Sequence, residues 1–316
     1  MLTFIDLHTG KELMGEFSSV LCLGNFDGVH KGHVALISRT LEIKDALSKK
    51  RSGILGGAWC FRQPPADFLS PDRRTPCITS LDEKLELFAK LGVDIAILGD
   101  FPSFRDMSPN DFTEKILKEK CKCVAAVCGF NFTYGSRGMG KPDDLKASFG
   151  DACAVLDPVT IDGMTVSSTA IREYISRGDV ETASLMLGRP YSVDLTVVEG
   201  KKLGRTLGIP TVNQFFPEGR LVPQNGVYAS FTELDGKVYP SVSNVGLNPT
   251  VSDGRGVRCE THIIGFSGDL YGRRVKVSFC KYIRTEQKFA NIDELRAAME
   301  RDSRTAEDFI LSKYKI

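Results

Sequence analysis

The chain has 316 residues, of which 42% are hydrophobic and 26% are charged, and its formal net charge at pH 7 is +1. This length allows two domains with separate cores, and the balanced charge excludes a global field that would attract nucleic acid or a membrane surface. No apolar run approaches the ~20 residues that a membrane-spanning helix needs. We expect no secretory signal, because the first eleven residues have no long apolar centre.

The nine cysteines lie scattered through apolar contexts, and only Cys121 and Cys123 are close together. A single residue between two cysteines is not the spacing of a zinc knuckle. We therefore expect reduced, mostly buried thiols and a cytoplasmic protein.

The first half of the chain alternates apolar runs with segments of helical periodicity. Predicted strands cover 17–23, 53–60, 93–98 and 124–128, and predicted helices cover 34–47, 80–91 and 108–118. Ser80 with Glu83 predicts a capping box, and Pro109 after Ser108 predicts a helix start. This alternation indicates an α/β domain with a parallel sheet and helices on both faces. Its ligands should bind at the carboxyl ends of the strands, near a switch point.

The stretch 24–33, Gly-Asn-Phe-Asp-Gly-Val-His-Lys-Gly-His, joins the first predicted strand to the first predicted helix. A strand, a glycine-rich turn and a helix start together bring backbone N–H groups to a phosphate. His30 and His33 are three residues apart, so both can face one bound group and stabilise its charge. A glycine-rich turn after a strand is more often only a turn, and two histidines three apart are more often an exposed pair on a helix surface. Here, however, two of the four histidines of the chain lie in this one turn.

The stretch 129–135, Gly-Phe-Asn-Phe-Thr-Tyr-Gly, follows the predicted strand at 124–128. Asn131 lies between alternating aromatic residues, so it could read the polar edge of a ligand while the rings form an apolar wall. A β-turn packed by its aromatic residues is the structural alternative.

The stretch 166–173, Val-Ser-Ser-Thr-Ala-Ile-Arg-Glu, has the features of a helix start. Ser167 or Ser168 can cap the helix, and Glu173 can complete a capping arrangement. The same hydroxyls at a helix N-terminus, followed by Arg172, can also bind an anion, because guanidinium forks onto phosphate oxygens.

The second half changes to β-rich periodicity. A helix over 175–187 with a break at Gly178 ends at Gly188, and strands are predicted at 193–198, 227–231, 238–242, 261–266 and 274–279. Asp235 and Gly236 predict a hairpin tip. These short strands suggest a small antiparallel barrel, which a helix from 292 to 314 follows. We place the domain boundary near 186–192.

The stretch 200–213 contains three glycines together with Lys201, Lys202 and Arg205. Such a basic loop can cover phosphates, although the Gly-Lys-Ser/Thr ending of a Walker loop is absent. Thr211 and Asn213 point the same way in an extended segment, and their oxygens are of the kind that Mg²⁺ accepts beside phosphates. A polar loop with a Pro-Thr turn is the alternative.

Glu260 and His262 alternate on one face of a predicted strand. A lone Glu on a strand is more often a solvated surface residue. A kinase, however, needs a carboxylate that orients a hydroxyl and takes its proton.

These strings, taken in order, resemble the bacterial bifunctional riboflavin kinase/FAD synthetases. The string 24–33 resembles the first motif of the FMN adenylyltransferase half, and its His-x-Gly-His unit resembles the nucleotidyltransferase motif. The strings 129–135 and 166–173 resemble the second and third motifs. Gly-x-Pro-Thr-x-Asn at 208–213 and Glu-x-His at 260–262 resemble two motifs of the riboflavin kinase half. The stretches 244–250, 269–272 and 283–289 also resemble parts of that half.

The resemblance implies a Rossmann-like nucleotidyltransferase domain over residues 1–187 and a small antiparallel β-barrel riboflavin kinase domain with a C-terminal helix over 188–316. The second domain would phosphorylate riboflavin to FMN with ATP. The first would adenylylate FMN to FAD and release pyrophosphate. The implied cofactor is Mg²⁺, with ATP as co-substrate. We expect only small-molecule partners, no nucleic acid or membrane, and a monomer or weak homo-oligomer.

The resemblance also implies roles for individual residues. The catalytic residues would be Glu260, as the base of the kinase, with His30, His33 and Arg172 in adenylyl transfer. Mg²⁺ would be held by Thr211 and Asn213, and the flavin would be contacted by Asn131, Arg284 and Glu286. The nucleotide and its phosphates would be bound by Gly24, Asn25, Phe26, Asp27, Gly32, Ser168, Thr169, Gly200, Lys201, Gly204, Arg205, Gly208 and Pro210.

Two positions depart from the family pattern. Pro64 lies in the stretch 61–65, where members commonly have a His, and Thr165 stands where many carry an Arg. Arg62 and Arg137 could compensate. The departures leave open a riboflavin kinase whose first domain binds nucleotide or flavin without catalysis. A flavin-binding regulatory module is the further alternative, but binding alone needs no base such as Glu260.

Overall fold

The structure is a computed structural model that describes residues 2–7, 16–63, 67–68, 75–200, 204, 207–247 and 256–314. The chain divides into two compact units, Met1–Ser167 and Ser168–Ile316. The division falls before two helices at 168–187, which group with the second unit. The functional boundary near residue 187 therefore stays a prediction.

The first unit is built on one six-stranded sheet. Its strands are β1 (Thr3–Asp6), β2 (Ser18–Leu23), β3 (Ile54–Phe61), β4 (Ile95–Gly99), β5 (Cys123–Gly129) and β6 (Cys153–Leu156). Their spatial order is β1-β4-β3-β2-β5-β6, and every neighbouring pair is parallel. The predicted parallel sheet is confirmed, although β1 and β6 were not predicted. The order reverses at β2, so the switch point lies between the carboxyl ends of β2 and β5.

Helices cover both faces of this sheet, as predicted. They are α1 (Lys31–Ser48), α2 (Leu81–Lys90), α3 (Phe101–Phe104), α4 (Pro109–Asp111, continued by a π-helix at Phe112–Lys120) and α5 (Pro142–Phe149). Leu21 and Leu23 of β2 face one core with Trp59, whereas Cys22 faces a second core with Phe26. This alternation follows from the two-residue period of a strand.

The predicted helix starts are confirmed in detail. The backbone N–H of Glu83 donates to Oγ of Ser80 at 3.2 Å, and the backbone N–H of Ser80 donates to Oε2 of Glu83 at 2.7 Å. This is the predicted capping box of α2. Ser108 caps α4 through a bond from the N–H of Asp111 at 3.0 Å, and the wider π-helical turns beyond it were not predicted.

The first unit ends with the two short strands β7 (Thr160–Ile161) and β8 (Met164–Thr165). The second unit begins with helices α6 (Ser168–Ser176) and α7 (Val180–Leu187), separated where Gly178 has a φ of 85°. After the two helices come six strands: β9 (Tyr191–Thr196), β10 (Val212–Phe215), β11 (Gly226–Leu234), β12 (Lys237–Leu247), β13 (Val257–Ile263) and β14 (Arg274–Arg284). Their order is β10-β13-β12-β11-β14-β9, with antiparallel pairing throughout. Helix α8 (Ile292–Tyr314) has the predicted bounds.

The six strands form a nearly closed barrel, as predicted. An antiparallel bridge between Val198 and Asn213 brings the first strand region next to β10. The hairpin tip at Asp235 and Gly236 is confirmed, with φ values of 51° and 79°. The strand predicted at 261–266 lies instead at Val257–Ile263, because the chain turns at Gly265 with a φ of 74°.

All nine cysteines are free thiols, and seven of them are buried. The prediction of unpaired, mostly buried thiols is confirmed. Burial raises the pKa of the Cys22 and Cys123 thiols to about 12, which keeps them protonated. In the part of the chain that the structure describes, no helix combines the length and the apolar character needed to traverse a bilayer.

Candidate active sites

The turn 24–29 leaves β2 at the switch point of the first unit. Three of its residues have left-handed backbone angles, with φ of 53° at Phe26, 81° at Gly28 and 40° at Val29. A β-branched residue such as Val29 rarely adopts this conformation. Each such non-glycine residue costs roughly 1–3 kcal/mol, and the surrounding structure must hold it in place.

The buried carboxylate of Asp27 supplies part of that hold. It accepts hydrogen bonds from the backbone N–H groups of Ile78 and Thr79 at 3.0 and 3.1 Å. The N–H of Gly28 in turn donates to Oγ1 of Thr79 at 3.0 Å. Asp27 therefore fixes the turn onto the segment that precedes α2, whereas its predicted contact with phosphate stays a prediction.

Lys84 supplies a further contact that the sequence analysis did not anticipate. Its Nζ donates to the backbone oxygen of Asn25 at 2.8 Å. The side chain of Phe26 is fully buried and packs edge-on against Phe88. Phe26 can therefore contribute only its backbone to a bound phosphate.

The two predicted histidines come together at the start of α1. His30 caps the helix, and its Nδ1 accepts the backbone N–H of His33 at 3.3 Å. Because Nδ1 is the acceptor, the proton of the neutral His30 ring lies on Nε2. The two rings are stacked, with centroids 3.6 Å apart and planes at 14°. Gly32 lies close beside them, and a Cβ there would lie 3.1 Å from Cε1 of His30.

The predicted flavin contact, Asn131, is exposed in the turn that follows β5. Phe132 and Tyr134 stack on each other with centroids 5.7 Å apart and pack against the core of the first unit. Phe130 is 49% exposed. The turn is thus packed by two of its aromatic residues, as the structural alternative predicted, while Asn131 and Phe130 face solvent.

The third motif forms the start of α6, which belongs to the second unit. Ser168 and Arg172 are both half-buried, and their spacing of four residues puts them on one face of the helix. Thr169 is exposed. The positions match an anion-binding helix start, and their roles stay predictions.

Four residues bear on the two departures from the family pattern: Pro64 and Thr165, which depart from it, and Arg62 and Arg137, which could compensate. Arg62 forms an ion pair with Asp6 at the end of β1, so this guanidinium already has a carboxylate partner. Arg137 is exposed and has a left-handed φ of 54°. Thr165 is exposed in β8 (Met164–Thr165), which pairs with β7 (Thr160–Ile161), and Pro64 lies outside the described residues.

In the barrel, three polar residues form a row across neighbouring strands. Asn213 of β10 pairs in register with Glu260 of β13, and Glu260 pairs in register with Asn244 of β12. Residues directly opposite each other share one face of a sheet. The predicted metal ligand and the predicted base are therefore neighbours, and Asn244 joins them without having been predicted.

The glycines of the 200–213 stretch allow its backbone to lie against these side chains. A Cβ at Gly200 would lie 2.3 Å from Nδ2 of Asn213, and a Cβ at Gly204 would lie 3.4 Å from Oγ1 of Thr211. Gly208 has a φ of 75° with open space around it. Lys201 and Arg205 lie outside the described residues. Gly200 and Gly204 thus lie close to the two predicted Mg²⁺ ligands, and Gly200 leaves no room there for a side chain.

Two contacts hold the strand that carries the predicted base. Arg258, two residues earlier on the same face, forms an ion pair with Glu260. Nδ1 of His262 lies 2.8 Å from the backbone oxygen of Pro210, which can only accept, so His262 donates. Burial lowers the pKa of His262, which favours this neutral donor. His262 thereby fixes the residue that precedes Thr211.

One predicted flavin contact, Glu286, lies at the Asn244 end of this row. Glu286 accepts a hydrogen bond from Nδ2 of Asn244 at 3.0 Å. It lies over Gly246, where a Cβ would be 2.3 Å from Oε1 of Glu286. Arg284 instead forms a fork on Asp302 of α8, with Nε and Nη2 at 3.1 and 2.7 Å from its two carboxylate oxygens. The Arg284 guanidinium thus joins the barrel to its terminal helix.

Two family models match the chain, one after the other. The model described as FAD synthetase matches residues 15–170, and the model described as riboflavin kinase matches residues 187–310. A bifunctional riboflavin kinase/FMN adenylyltransferase from Bacillus subtilis strain 168 is 34% identical over 296 residues, which cover 91% of each chain. The chain belongs to this family. The resemblance inferred from the sequence motifs is therefore confirmed.

Other relatives agree with this membership in the bifunctional riboflavin kinase/FMN adenylyltransferase family. The family member from Escherichia coli K12 is 34% identical over 301 residues and covers 92% of each chain. A solved structure from Streptococcus pneumoniae, described as a macrolide-efflux protein, is 28% identical with a TM-score of 0.83, and the match covers 96% of this chain and 98% of that one. Both enzymatic domains of the family are present, which favours the bifunctional interpretation over a kinase alone.

Proposed function

We propose that this chain phosphorylates riboflavin to FMN in its barrel and adenylylates FMN to FAD in its parallel-sheet domain. The observation that carries the proposal is the register of Asn213 with Glu260, with Gly200 lying against the Asn213 amide. In this arrangement the proposed Mg²⁺ ligand Asn213 would lie beside Glu260, the proposed base that activates the hydroxyl. A module that only binds flavin has no need of that pair.

In the kinase step, Glu260 would accept the proton of the 5′-hydroxyl of riboflavin. The hydroxyl oxygen then attacks the γ-phosphorus of ATP, the bond to the β-phosphate oxygen breaks, and ADP leaves. The ion pair with Arg258 keeps the carboxylate in one orientation. Glu286, held by Asn244, would contact the flavin beside this hydroxyl.

The residues of this site fit Mg²⁺. Thr211 and Asn213 offer a hydroxyl and an amide oxygen, both hard ligands, and Asn213 is buried beneath Gly200. No group of three His, Cys, Asp or Glu side chains suitable for a metal was found in the described ranges, so most other ligands would be phosphate oxygens and waters. When bound, Mg²⁺ would neutralise charge on the phosphates. The nucleotide would be covered by the stretch that contains Gly200, Lys201, Gly204, Arg205, Gly208 and Pro210.

In the adenylyl-transfer step, a phosphate oxygen of FMN would attack the α-phosphorus of ATP and pyrophosphate would leave. His30 and His33 would donate hydrogen bonds to phosphate oxygens as charge develops. The backbone of Gly24, Asn25, Phe26 and Gly32 would shape the turn that receives the phosphates, and Asp27 would anchor it.

We also propose that Ser168, Thr169 and Arg172 bind phosphate oxygens and that Asn131 positions the flavin in adenylyl transfer. No covalent intermediate with the enzyme is required, because positioning and electrostatic stabilisation are sufficient for both transfers. The free thiols support a cytoplasmic location, and we propose a monomer or weak homo-oligomer in which the first functional domain ends near residue 187 of the chain.

The direct test is a product assay with the purified full chain, riboflavin, ATP and Mg²⁺, in which the flavins are separated at successive times. We expect FMN to appear first and FAD to follow. Accumulation of FMN without FAD would refute adenylyl transfer and leave a kinase whose first domain only binds. Absence of both products would refute the whole proposal.

Two variants should separate the activities, and each is the control for the other. Glu260→Gln should abolish formation of FMN from riboflavin while FAD formation from supplied FMN persists. His33→Ala should reduce FAD formation and leave FMN formation nearly intact. Equal loss of both activities in either variant would contradict the assignment of the two residues to separate reactions.

A further inference from the structure

Lys84 is a buried lysine beside the turn 24–29, and only 7% of its surface is exposed. Its Nζ donates to the backbone oxygen of Asn25 at 2.8 Å. In the part of the chain that the structure describes, no carboxylate forms an ion pair with Lys84. A buried ammonium group therefore has a neutral carbonyl as its hydrogen-bond partner.

Two physical costs oppose a lysine at this position. Burying a charge without a counter-charge is unfavourable. The residue also lies in the first turn of α2, where the helix dipole disfavours a cation. Lys84 also affects Cys60 near the end of β3. Burial raises the pKa of the Cys60 thiol, and the positive charge of Lys84 acts in the opposite direction. A cost of this kind is expected where a site awaits an anion.

The contact with Asn25 does not by itself explain the charge. The turn is already anchored by Asp27, through the N–H groups of Ile78 and Thr79, and by Gly28. A neutral amide could also donate to the carbonyl of Asn25. The property that lysine or arginine adds here, and that a neutral donor lacks, is a positive charge.

We propose that Lys84 is a positioning residue of the adenylyl-transfer site. It holds the carbonyl of Asn25 and so keeps the turn 24–29 in place, and its charge favours the polyphosphate of ATP and of the pyrophosphate product. In a buried environment a charge acts over a longer range than in water, so Lys84 need not touch the substrate. This inference rests on the proposed adenylyl transfer.

The test uses the full chain and the variants Lys84→Met, Lys84→Gln and Lys84→Arg. Lys90→Met is the matched control, because Lys90 is an exposed lysine of the same helix. Two reactions are measured: FAD formation from FMN and ATP, and its reverse, in which FAD and pyrophosphate give FMN and ATP. Formation of FMN from riboflavin is the internal control for the fold of the second unit.

We expect Lys84→Met and Lys84→Gln to raise the KM for pyrophosphate and for ATP about tenfold. Lys84→Arg should restore most of the loss, whereas Lys90→Met and the kinase reaction should be unchanged. Wild-type KM values in Lys84→Gln would show that a neutral donor is enough and would overturn the role of the charge. If Lys84→Met folds poorly, the comparison of Lys84→Gln with Lys84→Arg decides the question. A wild-type chain that makes FMN but no FAD would instead refute the proposed function.

Discussion

Replacing Gly200 by Ala should disable the kinase while leaving the fold intact. The added Cβ would lie 2.3 Å from Nδ2, 2.6 Å from Cγ and 2.8 Å from Oδ1 of Asn213. Gly200 has no left-handed backbone angle, so the alanine brings no conformational strain of its own. The collision falls on the end of one side chain, and Asn213 can relieve it by turning away.

The size of the effect follows from these distances. The amide of Asn213 must retreat by roughly 1 Å to reach the ordinary contact range that begins at 3.4 Å, and a misplacement of about 1 Å near a reacting group costs about 100-fold in rate. We therefore expect the kcat of riboflavin phosphorylation to fall about 100-fold. The free energy of unfolding should change little, because no backbone atom needs to move.

Gly256→Ala is the matched control for this experiment. A Cβ at Gly256 meets no atom of the described residues within 4 Å, and the backbone of Gly256 is not in the left-handed region. The assay follows FMN formation from riboflavin at several Mg²⁺ concentrations, with FAD formation from supplied FMN measured on the same samples. We expect Gly256→Ala to match the wild-type chain in both reactions and Gly200→Ala to lose only the first.

A Gly200→Ala chain with wild-type phosphorylation would refute the reasoning. It would mean that the position of the Asn213 amide does not matter for the reaction. Loss of both reactions, accompanied by a lower melting temperature, would also contradict it, because the collision would then disturb the fold rather than one side chain.

Three further predictions concern the same barrel. The pKa of His262 is lowered from 6.5, so as the pH falls the unfolded chain binds a proton at this residue before the folded chain does. The contribution of neutral His262 to the free energy of unfolding is therefore complete above pH 6.5 and is lost below it. Melting curves of His262→Gln at several pH values should show less of this loss. Asp302→Asn should lower the free energy of unfolding by about 3 kcal/mol in urea titrations, since it leaves the Arg284 guanidinium without its carboxylate; an unchanged midpoint would contradict this. Gly246→Ala should push Glu286 aside and raise the KM for riboflavin about tenfold but not that for ATP; equal changes in both would count against the flavin role of Glu286.

The local features of the first unit could be read from the sequence because their causes are local. The capping box of Ser80 and Glu83 and the cap at Ser108 depend on residues three apart, and both were predicted. The spacing of His30 and His33 at a helix start also predicted that both could face one bound group, whereas the stacking of their rings was not predicted. Short edge strands such as β1 and β6 were not predicted, because four residues carry too little periodicity to distinguish a strand from a loop.

Contacts that join distant parts of the chain could not be derived in this way. The hydrogen bonds from Ile78 and Thr79 to Asp27 cross about 50 positions of sequence, and nothing local to Asp27 identifies its partners. The same holds for Lys84, which reads in the sequence as an ordinary polar residue of an amphipathic helix. The burial of Lys84 results from the packing of the whole domain, and it is this burial that makes Lys84 a candidate positioning residue.

Residue patterns were enough to predict the order of the two domains, the parallel and antiparallel character of their sheets, and the motifs that mark each candidate site. They were enough because periodicity, turn residues and short motifs are encoded within a few residues. That Asn213, Glu260 and Asn244 form one row could be seen only in the folded barrel. Strand register depends on which segments pair and where each pairing starts, and these are set by the burial of a whole face at once.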